Sequence, residues 1–148
     1  MNKYHYTECG LENVWLCNGF TAGSDAYGEW VSIHDMEGLH RVIGRALASK
    51  PGNLTGKEIR FLRIEMDFSQ GFLADLLGVT ESTWRNWEHN RSAISGPADR
   101  LLRQLYLEFC KETSSLRKQC EELSQLNHEL HSINLELEES EAGWGVAA

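Results

Sequence analysis

The stretch from Phe68 to Glu88 constrains this chain more than any other part of it. Apolar residues recur at helical spacing on either side of Gly78-Val79-Thr80. The pattern predicts two short helices, about Ser69 to Leu77 and about Thr80 to His89, joined by a tight turn. Glycine suits the left-handed backbone of a sharp helix exit because it has no Cβ to clash. Ala74 is small enough to let the second helix cross closely, and Thr80 is a competent N-cap for that helix. Trp84 and Trp87 share one face and can bury against Leu73, Leu76 and Val79. The opposite face then carries Ser82, Arg85, Asn86 and His89, all able to hydrogen-bond.

A short helix with an apolar back and a polar front suits the DNA major groove, with the first helix braced on phosphate. The Ser69-Gln70 opening, Leu73-Ala74, Gly78-Val79 and Trp87-Glu88 together resemble the helix-turn-helix of the lambda-repressor/Cro-like (XRE) family of DNA-binding regulators. The resemblance covers roughly Leu54 to Leu107. It implies that Gln70 opens the bracing helix at a phosphate or base edge, and that Glu81, Ser82 and Asn86 face bases. Thr83 would meet phosphate or a thymine methyl, and Arg85 a guanine or a phosphate. Arg91 and Lys57 would hold the backbone, and Thr80 and His89 stand at the two ends of the same helix. Two positions depart from the family: Trp84, where isoleucine or valine is usual, and Asn90-Arg91, where glycine is more common.

Flanking signals extend the helical reading. Leu54-Thr55-Gly56-Lys57-Glu58-Ile59 contains a T-x-x-E capping box, Thr55 to Glu58, and a hydrophobic staple, Leu54 with Ile59. It predicts a helix to about Asp67. Ser95-Gly96-Pro97 offers a cap and an early proline for a later, longer helix. Upstream, Leu39, Val42, Ile43, Ala46 and Leu47 recur at helical spacing from Met36 to Lys50, where Lys50-Pro51-Gly52 stops the helix. Before it, runs such as Asn13-Val14-Trp15-Leu16 and Trp30-Val31-Ser32-Ile33 predict short strands, with turns at Asn18-Gly19 and Ala22-Gly23-Ser24. The leader Tyr4-x-Tyr6-x-x-Cys9-Gly10-Leu11 followed by Val14-Trp15-Leu16 resembles that of some MqsA/YgiT-like antitoxin-type regulators. The four-cysteine zinc knuckles of those antitoxins are missing here.

Beyond the capped helix, Leu102, Leu105, Phe109, Leu116, Leu123, Leu126, Leu130, Ile133 and Leu137 share one heptad register, interrupted only by Glu112 and Gln119. One phase predicts a single helix from Leu102 to Leu137, a coiled-coil seam for dimerisation. Glu122, Glu129 and Glu136 at g would repel in an antiparallel pair, so a parallel homodimer is expected. Leucine at a with isoleucine at one d position leaves a tetramer open. A fold-back onto the chain's own N-terminal part is the competing reading. A dimer would select an inverted-repeat operator.

Composition sets the outer limits. The chain has 148 residues and a net charge of -8. The net is -2 over residues 1–53, -1 over 54–109 and -5 over 110–148. With a Debye length of about 8 Å at physiological salt, an acidic tail does not cancel a distant basic patch. No stretch approaches the roughly 18 uninterrupted apolar residues of a membrane helix, and the start lacks the apolar core of a secretory signal. Four cysteines without a CxxC pair suggest reduced thiols in a cytoplasm. Among His5, Cys9, Cys17, His34 and His40, Cys9 to Cys17 is too wide for a structural zinc knuckle and only His5-x3-Cys9 has a suitable spacing, so no metal or other cofactor is expected. No P-loop, GxGxxG or GxSxG appears, and no enzyme is expected.

The expected fold is therefore α+β and mainly α. It comprises a small N-terminal α/β segment (1–53) for partner binding or dimerisation, a lambda-repressor-like helix-turn-helix bundle (54–109), and a C-terminal dimerisation helix with an acidic tail (110–148). The expected function is a sequence-specific regulator of transcription, an autoregulating repressor binding double-stranded operator DNA as a dimer. The alternative is an antitoxin-type protein that captures a toxin or other protein through its N-terminal segment, with DNA binding secondary.

Overall fold

A computed structural model describes residues 3–111, 115–129 and 136–147. The N-terminal segment is built from two antiparallel pairs. Strands β1 (Tyr4–His5) and β2 (Trp15–Leu16) pair with Tyr4 opposite Leu16. Strands β3 (Phe20–Asp25) and β4 (Gly28–Ile33) form a hairpin that runs in register from Phe20↔Ile33 to Asp25↔Gly28. The turn expected at Ala22-Gly23-Ser24 lies instead inside β3. The chain reverses between Asp25 and Gly28, where Asp25 Oδ1 accepts from the Tyr27 amide at 2.8 Å. Gly23 is there for packing: a Cβ on it would come within 2.5 Å of the Trp30 ring that lies across it. The expected turn at Asn18-Gly19 does form, with Gly19 at a φ of 79°.

Helix α1 (Met36–Ser49) opens on Asp35, whose side chain accepts from the Gly38 amide. It buries Ile43, Gly44 and Leu47. Val42 and Ala46, expected on the inner face, are exposed. The cause is Gly44, which lets α1 press directly on the Tyr106 phenol; a Cβ there would sit 2.0 Å from the phenol oxygen. Close approach through glycine sets which stripe of α1 turns inward.

Helix α2 (Gly56–Glu65) carries the complete capping box: the Thr55 amide donates to Glu58 Oε1 at 2.8 Å and the Glu58 amide to Thr55 Oγ1 at 3.3 Å. Both staple residues, Leu54 and Ile59, are buried. Helices α3 (Gln70–Leu77) and α4 (Glu81–Glu88) follow, joined by Gly78, Val79 and Thr80. Gly78 has the left-handed φ of 74° that ends α3. Helix α5 (Gly96–Cys110) starts at its Ser95 cap with Pro97 in the first turn. Among the described residues, no helix is long and apolar enough to cross a membrane.

The single helix expected from Leu102 to Leu137 does not form. Helix α5 ends at Cys110, α6 spans Ser115–Glu129, and Leu137 opens β5 (Leu137–Ser140), which pairs with β6 (Gly143–Val146). Two features account for the break. The α5 stripe is consumed by the chain's own core: Leu102, Leu105 and Tyr106 are 0%, 3% and 1% exposed. Glu108 then restarts the chain as a helix, its carboxylate accepting from the Leu116 and Arg117 amides at the start of α6.

Helix α6 folds back onto α3. Arg117 stands over the Phe68 ring at 4.9 Å and the Phe72 ring at 5.3 Å. Ser124 Oγ donates to the Asp75 carbonyl at 2.6 Å, and Cys120 is buried. Of the other seam residues, Leu116 packs on the core while Phe109, Leu123 and Leu137 are exposed. The side chains of Leu126, Leu130 and Ile133 lie outside the described residues. Buried side chains on both sides of residue 53 belong to one contiguous cluster, from Tyr6 and Ile43 through Ile59 and Trp84 to Leu105.

Candidate nucleic-acid interface

The orientation of α4 is set from inside. Trp84 is fully buried and Trp87 nearly so, their rings 5.7 Å apart and edge to face. Beside them lies a charged residue that belongs to the core: Glu88, 7% exposed. Arg63 of α2 donates to it from Nε at 2.7 Å and from Nη2 at 3.1 Å, and the Trp84 indole N–H donates to the same carboxylate. The third arm of Arg63 reaches the Phe68 carbonyl at 3.0 Å, so one guanidinium ties α2, the α2–α3 connection and α4 together. A charge desolvated to this degree is tolerated only because every direction around it is bonded.

The two ends of α4 are fixed as tightly. At its start, Thr80 Oγ1 accepts from the Thr83 amide at 3.1 Å and lies 2.8 Å from the Thr83 hydroxyl. At its end, Asn90 takes a left-handed φ of 56° and accepts from the Gly56 amide at 2.9 Å. Gly56 has to be glycine, since a Cβ would come within 2.4 Å of the Glu88 carbonyl and 2.6 Å of the Trp87 carbonyl. The first residue of α2 therefore abuts the last turn of α4.

With Trp84, Trp87 and Glu88 inward, Glu81, Ser82, Arg85 and His89 are the exposed face of a rod about 12 Å long, at 1.5 Å per residue. Arg85 meets Glu81 across one turn at 3.9 Å. Such an exposed pair is worth about 0.3–0.5 kcal/mol, so the guanidinium is easily exchanged to a stronger acceptor. Glu81 also leans towards the first turn of α3, close enough that a Cβ on Gly71 would lie 3.3 Å from Oε2. Asn86 is half-buried at the edge of this face, its Oδ1 3.4 Å from Arg91 Nη1. Gln70 is the half-buried first residue of α3.

Two expected contacts sit differently from the rest. Thr83 is half-buried, its hydroxyl turned to Thr80. Lys57 is on α2 and is held by the Glu12 carboxylate, whose pKa is lowered first by that hydrogen bond and then by the lysine charge. Arg60, one turn further along α2, is exposed, its Nε 4.0 Å from Glu88. Its spacing from Lys57 on the exposed side of a capped helix was the available signal for it, whereas nothing in the sequence pairs Arg63 with Glu88 or Asn90 with Gly56. No family model matches the chain, and no curated protein or solved structure matches it.

Proposed function

We propose that this protein is a sequence-specific binder of double-stranded DNA that regulates transcription, with α3 and α4 acting as a helix-turn-helix. The observation that carries the reading is the fixed rotation of α4: a buried Trp84–Glu88–Arg63 network leaves Glu81, Ser82, Arg85 and His89 as its open face. A rigid helix needs its donors held in place before it meets base edges, because loosely held side chains spend binding energy on ordering. Arg85 supplies a planar fork of donors suited to guanine or phosphate, and Asn86 supplies the paired donor and acceptor that match adenine. Arg91, beside Asn86, and Gln70, at the start of α3, are candidate phosphate contacts, with Arg60 of α2 a further exposed cation.

A single eight-residue helix contacts few base pairs, so specific binding calls for two copies on an inverted repeat, as a homodimer acting on its own operator. Leu102 and Leu105 are unavailable for that pairing, being interior to one copy. Autoregulating repression is the mode proposed for it.

The test is a salt-dependent binding assay on the chain's own promoter region against a scrambled duplex. Arg85→Ala should weaken binding. Asn86→Ala should cost about 1–3 kcal/mol and relax the choice at one base pair. Equal affinity for operator and scrambled DNA, unaffected by either substitution, would sink the reading.

A second reading, capture of a protein partner through the N-terminal segment, is favoured by one observation. The β3–β4 hairpin exposes Tyr27 completely, together with Trp30 and Val31. Trp30 and Val31 are neighbours on β4 and so lie on opposite faces of the hairpin, and exposed aromatic side chains such as Tyr27 and Trp30 suit protein contacts. An antitoxin-type protein would use them on its toxin, and substituting Tyr27 and Trp30 would then abolish capture while leaving operator affinity unchanged.

A further inference from the structure

A cavity of about 340 Å³ opens between α1, the end of α2 and α5, built from different side chains than the α4 face. The size falls in the range of small-molecule sites, about 300–1,000 Å³. Its walls combine three chemistries. Arg41 brings a guanidinium, Glu37 and Glu65 bring carboxylates, and Met36, Phe109 and Tyr106 bring apolar surface.

The charges are arranged for an occupant. Glu37 and Arg41 are one turn apart on α1, the spacing of a helical ion pair, yet among the described residues neither has an ion-pair partner. Glu65 is anchored from behind. Its Oε1 accepts from His40 Nδ1 at 2.7 Å, His40 Nε2 meets the Tyr6 hydroxyl at 2.7 Å, and that hydroxyl reaches Met36 Sδ at 3.1 Å. This chain holds one edge of the Glu65 carboxylate in place and leaves Oε2 for something else.

A plain carboxylic acid would satisfy Arg41 but face two carboxylates, and a plain amine would satisfy them but face Arg41. A molecule carrying both signs, with an apolar remainder for Met36 and Phe109, complements every wall. We infer that this cavity binds a free α-amino acid with an apolar side chain, its carboxylate on Arg41 and its ammonium group between Glu37 and Glu65. The site is independent of the DNA-binding proposal.

The test is calorimetric titration of the full chain with L-leucine, L-methionine and L-phenylalanine, alongside their amides and N-acetyl derivatives, with thermal shift as a second readout. The free amino acids should bind saturably and raise the melting temperature. The amides and N-acetyl forms should bind at least tenfold more weakly. Arg41→Gln and Glu37→Gln, both at exposed positions, should each weaken binding at least tenfold, while Arg45→Gln on the outer side of α1 should not. Absence of saturable binding by all three amino acids overturns the inference. So does equal binding of the blocked derivatives, or affinity unchanged in Arg41→Gln.

Discussion

Arg63 and Glu88 meet at 2.7 Å and 3.1 Å in a two-pronged pair that joins α2 to α4, with the Trp84 indole N–H on the same carboxylate. The pair is nearly dry, the Glu88 side chain being 2% exposed and that of Arg63 14%. Removing one partner from a buried pair leaves the other charge without compensation and typically costs about 3–5 kcal/mol. Arg63→Met should therefore lower the urea midpoint sharply. Arg63→Met combined with Glu88→Leu should lose less than Arg63→Met alone: both lose the donor to the Phe68 carbonyl, but in the double variant no bare carboxylate remains and the Trp84 N–H is the further group left without its partner. A double variant at least as unstable as the single one would show that the pair is not the clamp described.

The contact between Gly56 and the end of α4 gives a second prediction. Gly56→Ala drives a methyl group into two backbone carbonyls, which no rotamer change relieves. Overpacking of this kind costs about 1–3 kcal/mol. At Asn90 the expected outcome separates two effects. Asn90→Ala loses the bond to the Gly56 amide and places an alanine at a φ of 56°, whereas Asn90→Gly loses only the bond. Thermal melts should rank wild type above Asn90→Gly, and Asn90→Gly above Asn90→Ala.

Much of this architecture was legible because it is local. The capping box at Thr55 and Glu58, the Ser95 cap with Pro97, the Gly78 turn and the tryptophan pair on α4 each depend on residues within a few positions of one another. The single helix expected from Leu102 to Leu137 fails to form for a physical reason. A heptad of leucines states that a stripe will be buried, but not against what: α5 buries Leu102 and Leu105 in the chain's own core, while on α6 Leu116 packs against that core and Leu123 stays exposed. The helix break also rests on Glu108 capping α6 from α5, a contact that carries no pattern in sequence. For the α4 face, the polar stripe was readable, whereas the network behind it was not. Arg63 and Glu88 are 25 positions apart, and two charged residues with no shared period give no sign that they will meet in the core.

The docking of α6 on α3 can be followed through one thiol. Cys120 is buried and its pKa is raised, first by burial and then by the Glu108 and Glu121 carboxylates. Both effects lower the thiolate fraction and slow alkylation. Cys17 is exposed and provides the internal fast reference. Arg117→Ala removes the guanidinium from over Phe68 and Phe72 and should loosen α6. Mass-spectrometric mapping should then find Cys120 labelling accelerated while the Cys17 rate is unchanged. Equal Cys120 rates in the two proteins would mean that Arg117 does not hold α6 down.

The alkaline limit of stability should trace in part to Tyr106. Its phenol is pushed well above the usual tyrosine range, chiefly by burial under α1 at Gly44 and further by its hydrogen bond with Cys110. A group whose pKa is higher folded than unfolded contributes its full stabilisation below the unfolded value, here 10.0. Above that pH the unfolded chain gives up the proton while the folded chain keeps it, so stability falls as pH rises towards the folded value. Cys120, also raised, begins the same kind of loss from its ordinary value of 9.0. Tyr106→Phe removes the phenol's share only. Urea midpoints measured at pH 8, 10 and 11 (about the ordinary tyrosine value and on either side of it) should fall in both proteins, and less steeply above pH 10 in Tyr106→Phe. Identical slopes would place the alkaline weakness in other groups and leave the buried phenol without a part in it.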